Sequence, residues 1–273
     1  MKIVYCIPDQ KNPFWRLIVS GIEKKAKAEG ALVEVFDAAH DEKRQAEQLQ
    51  AVLKQKPDAV LVSPVQTKPI GALCKTIRDG GIPIVAVDQN MTADVTASII
   101  SGNLRGGTAA AQYLMQRLGP SGRVVHLLAE SGLENVVLRR KSFVNEINRS
   151  GLKIVKQIQA DSSRQKANEG MLAFLSEGIA FEAVFGENDA MALGAMDALA
   201  DRKFLPWPVI VGFDGVPEAI NAIRDGRMEA TIAQNPEALG EKSIELIFKI
   251  IRFQQYEELT SVLPKLVTKE DLA

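Results

Sequence analysis

Short runs of β-branched and other apolar residues alternate with longer amphipathic stretches along almost the whole sequence. In the first such stretch, apolar residues recur every three or four positions from Phe14 to Ala26, which is the spacing of one helix face, and Gly30 follows as a helix stop signal. Short strands separated by helices of about a dozen residues or more are typical of βαβ units, whose strands pair in parallel. The alternation therefore predicts an α/β fold.

This alternation runs through the sequence twice. In the first half it predicts strands and helices at Ile3–Ile7, Phe14–Ala26, Leu32–Phe36, Lys43–Lys54, Ala59–Ser63, Lys68–Asp79 and Ile84–Val87. In the second half it predicts them at Arg123–Leu128, Val136–Arg149, Leu152–Gln157, Arg164–Ser176, Ala183–Phe185, Asp189–Ala200 and Val209–Phe213. Two such halves predict two similar doubly wound parallel-sheet domains, each with its own core.

Three segments are expected to connect the two domains and to form a hinge. The first is the extended segment Thr96–Asn103, the second is the extended run Glu229–Gln234, and the third lies near residue 263. The predicted domains are therefore residues 1–103 with 235–262, and residues 104–234 with 263–273.

The end of the sequence adds one helix and one strand to this arrangement. A long helix is expected at Glu237–Phe253, with Asn235 as its N-cap and Pro236 in its first turn. A last short strand is expected at Val262–Val267.

Composition excludes several classes of partner. Lys and Arg number 33 against 34 Asp and Glu, so no basic excess indicates a nucleic acid or an anionic membrane. Cys6 and Cys74 are expected to be buried free thiols and His126 a core histidine, which leaves no metal-ligand spacing. No apolar run reaches a membrane span, and no secretory leader precedes the first strand. We therefore expect either a cytosolic protein or an exported one in its mature form.

Four of the predicted strands end close to polar side chains. Asn12 follows the first strand, and Asp88 with Gln89 follows the strand at Ile84–Val87. Asn188 and Asp214 occupy the same place in the second half. Because ligands of parallel sheets bind beyond the carboxyl ends of the strands, these groups predict one shared ligand site.

The polar groups favour binding over catalysis. The sequence has no phosphate loop, no Gly-x-Gly-x-x-Gly turn after its first strand and no Gly-x-Ser-x-Gly elbow. Asp88, Asp189 and Asp214 lack a nucleophile or base in a triad-like context. Carboxylates accept hydroxyl hydrogen bonds well, and the rings of Phe14 and Trp15 suit the apolar face of a sugar. One of these two rings is also expected to begin the core stripe of its helix.

Several motifs follow in an order that is similar to a known family. They are Asn12-Pro13-Phe14-Trp15, Val87-Asp88-Gln89, Asn188-Asp189-Ala190-Met191-Ala192-Leu193-Gly194-Ala195, Val211-Gly212-Phe213-Asp214-Gly215 and Ala230-Thr231-Ile232-Ala233-Gln234. With them the chain resembles the type I periplasmic sugar-binding proteins, in particular the ribose-binding proteins, over essentially its whole length. The same superfamily includes the effector domains of LacI-type repressors and the ectodomains of some receptors.

The resemblance implies two α/β domains that close on a sugar, with no catalytic residue, cofactor or metal. It assigns ligand contacts to ten positions: Asn12, Phe14, Trp15, Asp88, Gln89, Arg139, Ser162, Asn188, Asp214 and Gln234. Two of them depart from the ribose pattern, because Gln89 replaces an arginine and Ser162 replaces a stacking phenylalanine. The resemblance therefore implies a sugar-like ligand without fixing which one.

The function implied is that of the substrate-binding component of an ABC importer, acting as a monomer on a small neutral sugar or polyol and delivering it to a permease. It also implies a periplasmic location, or an extracellular one with a lipid anchor, the signal sequence being absent from this sequence. A ligand-sensing domain that signals to a histidine kinase or chemoreceptor is the alternative. A LacI-type repressor is disfavoured because the first strand begins at Lys2, without a preceding helix-turn-helix. An enzyme on a similar scaffold is the third hypothesis.

Overall fold

The computed structural model describes residues 1–130 and 132–272. The elements of its first part are β1 (Lys2–Ile7), α1 (Pro13–Ala28), β2 (Leu32–Asp37), α2 (Glu42–Gln55), β3 (Ala59–Val62), α3 (Thr67–Asp79), β4 (Ile84–Val87), β5 (Ala97–Ser101), α4 (Asn103–Leu118) and β6 (Arg123–Leu128). They are followed by α5 (Glu134–Arg149), β7 (Lys153–Gln159), α6 (Arg164–Leu175), β8 (Ala183–Gly186), α7 (Asp189–Asp201), β9 (Val209–Asp214), α8 (Pro217–Arg224), β10 (Ala230–Ala233), α9 (Pro236–Ile251), β11 (Leu259–Val262), β12 (Lys265–Thr268) and a 3-10 helix at Glu270–Leu272. Within these described residues, no helix is both long and apolar enough to cross a membrane.

Contacts between residues divide the chain into two compact units. Unit 1 comprises Met1–Ser101, Leu133–Asn135 and Asn235–Val262, and unit 2 comprises Gly102–Gly132, Val136–Gln234 and Leu263–Ala273. The division predicted from the sequence has its first boundary two residues later and lacks the short segment Leu133–Asn135.

Each unit is built on one six-stranded sheet. In unit 1 the strand order is β11-β5-β4-β3-β1-β2, and all neighbouring strands run parallel. In unit 2 the order is β12-β10-β9-β8-β6-β7, with only β12 antiparallel to its neighbour. These two sheets confirm the predicted fold class of two similar parallel α/β domains.

Burial explains why the central strands read as uninterrupted apolar runs. Every residue of β3, β4 and β8 is buried, as expected where helices cover both faces of a parallel sheet. The edge strand β2 is only partly buried, and it accordingly carries Glu34 and Asp37 among its apolar residues. Cys6 and Cys74 are both free and pack in the core of unit 1, as the sequence predicts.

The prediction of the last strand was wrong in one respect. The run Val262–Val267 is not one strand, because it divides between β11 in the first sheet and β12 in the second. Pro264 lies at the break, and proline has no N–H to continue a ladder. The preceding helix begins as predicted, since the Asn235 side chain accepts a hydrogen bond from the Ala238 N–H and Pro236 occupies the first turn.

Helices α1 and α9 pack closely within unit 1 through two glycines. A Cβ atom placed on Gly21 would lie 2.2 Å from the Glu237 carbonyl oxygen, and one placed on Gly240 would lie 2.3 Å from the Ile18 carbonyl oxygen. Neither position has room for a methyl group without a shift of backbone. The two helices are therefore held at a distance that only glycine permits at these contacts.

We expect Gly240→Ala to destabilise unit 1 by about 1–3 kcal/mol, because the new methyl group overpacks the contact with Ile18. In an uncrowded helix the same change would stabilise by about 1 kcal/mol, so the sign of the effect is diagnostic. Urea unfolding followed by circular dichroism measures it, with the exposed Lys242→Ala on the same helix as the matched control. An unchanged or raised unfolding free energy in Gly240→Ala would contradict the close packing.

Candidate functional site

The carboxyl edge of the unit 1 sheet carries a buried polar pair after β4. Asp88 and Gln89 are 2% and 1% exposed, and Asp88 has a left-handed backbone with φ of 66°. The Asp88 N–H donates to the Ile99 carbonyl at 2.8 Å, and its carboxylate accepts from Asn135 Nδ2 at 2.9 Å. Gln89 Oε1 has no hydrogen-bond partner among the described residues. A buried acceptor without a partner is what a ligand hydroxyl can satisfy.

A buried hydroxyl pair supports this edge from behind. Ser63 Oγ donates to the Val87 carbonyl at 2.9 Å, so the 2.8 Å contact between Tyr5 and Ser63 has the Tyr5 hydroxyl as its donor. Burial raises the pKa of Tyr5, which keeps it a donor at all physiological pH values. The pair fixes the last carbonyl before Asp88. Sequence reasoning missed it, because hydroxyls inside apolar runs give no pattern.

Three of the predicted ligand residues lie where α1 begins. The Asn12 side chain caps the helix by accepting from the Phe14 N–H at 2.9 Å. Phe14 is 3% exposed and packs edge-on against Trp15, with ring centroids 5.1 Å apart. Trp15 is partly exposed. Phe14 therefore belongs to the core face of the helix, whereas Trp15 retains surface for a ligand.

In unit 2, two amides organise the carboxyl edge of the sheet. Asn188 caps α7 by accepting from the Met191 N–H at 2.9 Å, and its Nδ2 donates to the Ser162 carbonyl at 3.3 Å. Gln234 Nε2 donates to Asp214 Oδ1 at 2.6 Å, while its Oε1 is buried and has no partner among the described residues. These four predicted site residues are thus brought together in two hydrogen-bonded pairs.

Arg139 lies behind the same edge with its guanidinium held on several sides. The Arg139 carbon Cζ sits 3.6 Å from the centroid of the Phe213 ring, which is cation–π geometry. Its Nε and Nη2 donate to Asn103 Oδ1 at 3.0 and 2.6 Å, and its Nη1 donates to the Glu187 carbonyl. The side chain is 4% exposed, so its orientation is fixed before any ligand binds.

Glu187 is the centre of a buried ion network that sequence reasoning missed. Its carboxylate accepts from Arg140 Nε and Nη2, each at 2.8 Å, and from the Ala129 N–H at 2.7 Å. His126 Nε2 lies 3.0 Å from it, and both of these side chains are fully buried. Burial alone would raise the pKa of Glu187, but the hydrogen bonds from Arg140 and the proximity of His126 outweigh it and lower the pKa to about 2.

Glu187 connects this network to two predicted ligand residues, Arg139 and Asn188. Glu187 directly precedes Asn188, and its carbonyl holds Arg139 while its carboxylate holds Arg140. His126 was predicted to be a core histidine, and it is confirmed as one, stacked on Phe185. The only sequence signal for the network was the adjacent pair of arginines, whose helical positions direct them to different sides of Glu187.

Asp189 has a structural role, because its buried carboxylate is satisfied by donors of the protein itself. Its carboxylate accepts from the Gly215 and Val216 N–H groups at 2.8 and 2.9 Å and from the Thr231 hydroxyl at 2.7 Å. Burial raises its pKa, although these hydrogen bonds act in the opposite direction. Asp189 therefore ties α7 to the loop after β9 and to β10.

The chain has extensive similarity to known proteins. The sequence profile of a family described as "Periplasmic binding protein domain" matches residues 3–255. The ribose import binding protein RbsB of Bacillus subtilis is 31% identical over 261 residues, which are 95% of this chain and 84% of that protein. The corresponding protein of Escherichia coli K12 is 28% identical over 271 residues, with 98% and 90% covered.

Solved structures agree with these relatives in fold. A Caulobacter myo-inositol binding protein bound to myo-inositol has a TM-score of 0.93 at 26% identity, covering 100% of this chain and 94% of that one. The periplasmic binding protein component of the arabinose ABC transporter from Shewanella sp. ANA-3, bound to L-arabinofuranose, has a TM-score of 0.92 at 25% identity, with 99% and 92% covered.

The lowered pKa of Glu187 makes stability depend on pH in acid. Because its pKa falls from the ordinary 4.5 to about 2 on folding, its stabilising effect is complete above pH 4.5 and is lost as the pH falls toward 2. The shift corresponds to about 3 kcal/mol. We expect Glu187→Gln to lose less stability than the wild type on acidification from about pH 5 to pH 3, measured by urea unfolding.

The matched control is Glu169→Gln, which removes the same charge from an exposed position on α6. It should reproduce the acid profile of the wild type. If Glu187→Gln also reproduces it, the carboxylate is not the ionised centre of the network.

Proposed function

Because the chain belongs to the periplasmic binding protein family, whose members bind substrates, we propose that it binds a sugar or polyol as the substrate-binding component of an ABC importer. The observation that carries the proposal is the set of polar side chains at the carboxyl edge of each sheet, above all the buried Gln234–Asp214 pair with its open acceptor. Proteins of this similarity hold myo-inositol and arabinofuranose, which are ligands covered with hydroxyl groups.

All ten predicted residues are proposed to serve this binding, with different tasks. Asp88, Asp214 and the amides accept or donate hydrogen bonds to hydroxyls, and bonds to a charged group contribute about 1.5–3 kcal/mol each. Trp15 supplies a face for the C–H groups of the ligand. Gln89 and Ser162 stand where the ribose-binding pattern has arginine and phenylalanine, so the proposal names a sugar-like ligand and not ribose in particular.

We propose that the protein binds without catalysis and releases its ligand chemically unchanged. Asp189, one of the acids that sequence reasoning weighed as a catalytic group, is fully buried and accepts three hydrogen bonds. Ser162 is the one hydroxyl nucleophile in the candidate set, and its hydroxyl donates to the Glu130 carboxylate without the intervening histidine of a catalytic triad. Incubation with a bound sugar followed by mass spectrometry tests this, and an altered product would establish an enzyme instead.

The proposed partner is the permease of the importer, which recognises the ligand-bound, closed form. Ligand shifts the balance of conformations only through its differential affinity for them. We propose that the protein acts as a monomer in the periplasm, or outside the cell in an organism without one. Permease and ATPase genes beside its own gene would support transport, and a histidine kinase gene would favour sensing.

A thermal-shift screen over pentoses, hexoses, polyols and furanoses should find a stabilising compound. At 100 times its dissociation constant, such a ligand adds about 2.7 kcal/mol to the free energy of unfolding. We expect Asp214→Ala to abolish this gain while the apo protein stays folded, because the carboxylate that holds Gln234 is removed. Asp201→Ala, at the exposed end of α7, should keep the gain in full. Equal stabilisation of Asp214→Ala and wild type would remove Asp214 from the site.

Intrinsic fluorescence offers an independent test, because the chain has two tryptophans. Trp15 lies at the start of α1, whereas Trp207 donates to the Arg227 carbonyl at 2.9 Å, before β9 begins. Titration with the stabilising compound should change the fluorescence of the wild type and of Trp207→Phe, but not that of Trp15→Phe. A response that disappears with Trp207 instead would place the ligand elsewhere.

A further inference from the structure

Glu130 lies at the carboxyl edge of the unit 2 sheet, two residues beyond the end of β6. Its carboxylate accepts a hydrogen bond from the Ser162 hydroxyl, and Glu130 is partly exposed. Asn188 donates to the carbonyl of the same Ser162 at 3.3 Å. Glu130 therefore contacts Ser162 directly and is linked through it to Asn188, although sequence reasoning did not select it.

Lys166 acts on the charge of Glu130 only from beyond ion-pair distance. Over residues 1–130 and 132–272, no cationic side chain forms an ion pair with Glu130. Arg140 is committed to Glu187 at 2.8 Å, and Lys166 to Asp161 at 2.7 Å. A ligand that covers an unpaired carboxylate removes it from water at a cost, which a positive charge on the ligand offsets.

Hydrogen-bonding capacity on this edge also favours a ligand rich in donors. Gln234 is 1% exposed, its amide nitrogen is fixed on Asp214, and its Oε1 is a buried acceptor with no partner among the described residues. Three N–H groups of Arg139 already donate, two to Asn103 and one to the Glu187 carbonyl. Two acceptors on this edge, the Glu130 carboxylate and Gln234 Oε1, are therefore suited to donor groups of a ligand.

We propose that the ligand carries a protonated amine in addition to its hydroxyl groups, and that Glu130 pairs with this amine. The ligand class is an aminated sugar or polyol, not the neutral one expected from the sequence. An ammonium group brings three donors and one positive charge to an edge that offers carboxylate and amide oxygens. This inference rests on the proposed function, since it specifies the ligand of the same site.

The test compares matched compounds that differ only at one nitrogen. The probes are D-glucose, D-glucosamine and N-acetyl-D-glucosamine, the corresponding galactose series, sorbitol with 1-amino-1-deoxysorbitol, and myo-inositol with its monoamino-deoxy analogues. Affinities are measured by isothermal titration calorimetry below the pKa of each amine. We expect at least one amine to bind about ten- to a hundredfold more tightly than both its hydroxyl parent and its acetylated form, as a charge-assisted contact provides.

Two variants assign the preference to Glu130. Glu130→Gln keeps an oxygen that can accept from Ser162 but removes the charge, so the advantage of the amine over its parent should disappear. Glu169→Gln makes the same charge change on the exposed face of α6 and should retain the advantage.

The outcomes separate this inference from the proposed function. If a hydroxyl parent binds as tightly as its amine, or if the preference survives in Glu130→Gln, the amine is rejected while sugar binding stands. If no compound of either kind binds, both proposals fail together.

Discussion

Parallel pairing of strands is the constraint on which the rest of this structure depends. Because neighbouring strands point the same way, the residues that follow them meet at one edge of each sheet, however far apart they lie in sequence. The loops after β6, β7, β8, β9 and β10 bring Glu130, Ser162, Asn188, Asp214 and Gln234 to one edge of unit 2. The interior of the strands is left apolar and contributes only the rigid frame. Polar side chains suited to binding are therefore confined to a few positions at strand ends and in loops, which can change without disturbing the core.

The buried ion network fixes Glu187, the residue whose carbonyl holds Arg139 in place. An unpaired carboxylate at the position of Glu187 would be costly, so Arg140 accompanies it as its counter-charge. The same residue uses its carbonyl on Arg139 and continues directly into Asn188. Arg139 and Asn188 are consequently held by their links to a buried network. A side chain fixed in this way loses little conformational entropy when it binds.

The sequence periodicity was enough to predict most of the fold, and its failures have physical causes. The sequence pattern did not predict helix α4, because its first turns contain Gly106 and Gly107, and glycine lowers helix propensity. The structure needs these glycines, since Cβ atoms there would lie 2.5 Å from the Phe213 ring and 2.2 Å from the Arg139 carbonyl oxygen. At α4 the local sequence therefore disfavours a helix, whereas tertiary packing favours one with glycine at these two positions. The division of the last predicted strand at Pro264 likewise depends on which sheet each half joins, a choice that no local pattern records.

For the candidate site, the sequence predicted which polar residues lie at strand ends, but not the hydrogen bonds that they make within the protein. Asn188 shows why. Aspartate, serine and asparagine cap helices about equally well, so capping of α7 through Oδ1 does not by itself require an amide. The Asn188 Nδ2 donates to the Ser162 carbonyl, which an ionised aspartate cannot do because it has no donor. That bond holds the loop whose hydroxyl contacts Glu130. The choice of asparagine thus follows from the need to cap a helix and to orient a neighbouring loop with one side chain.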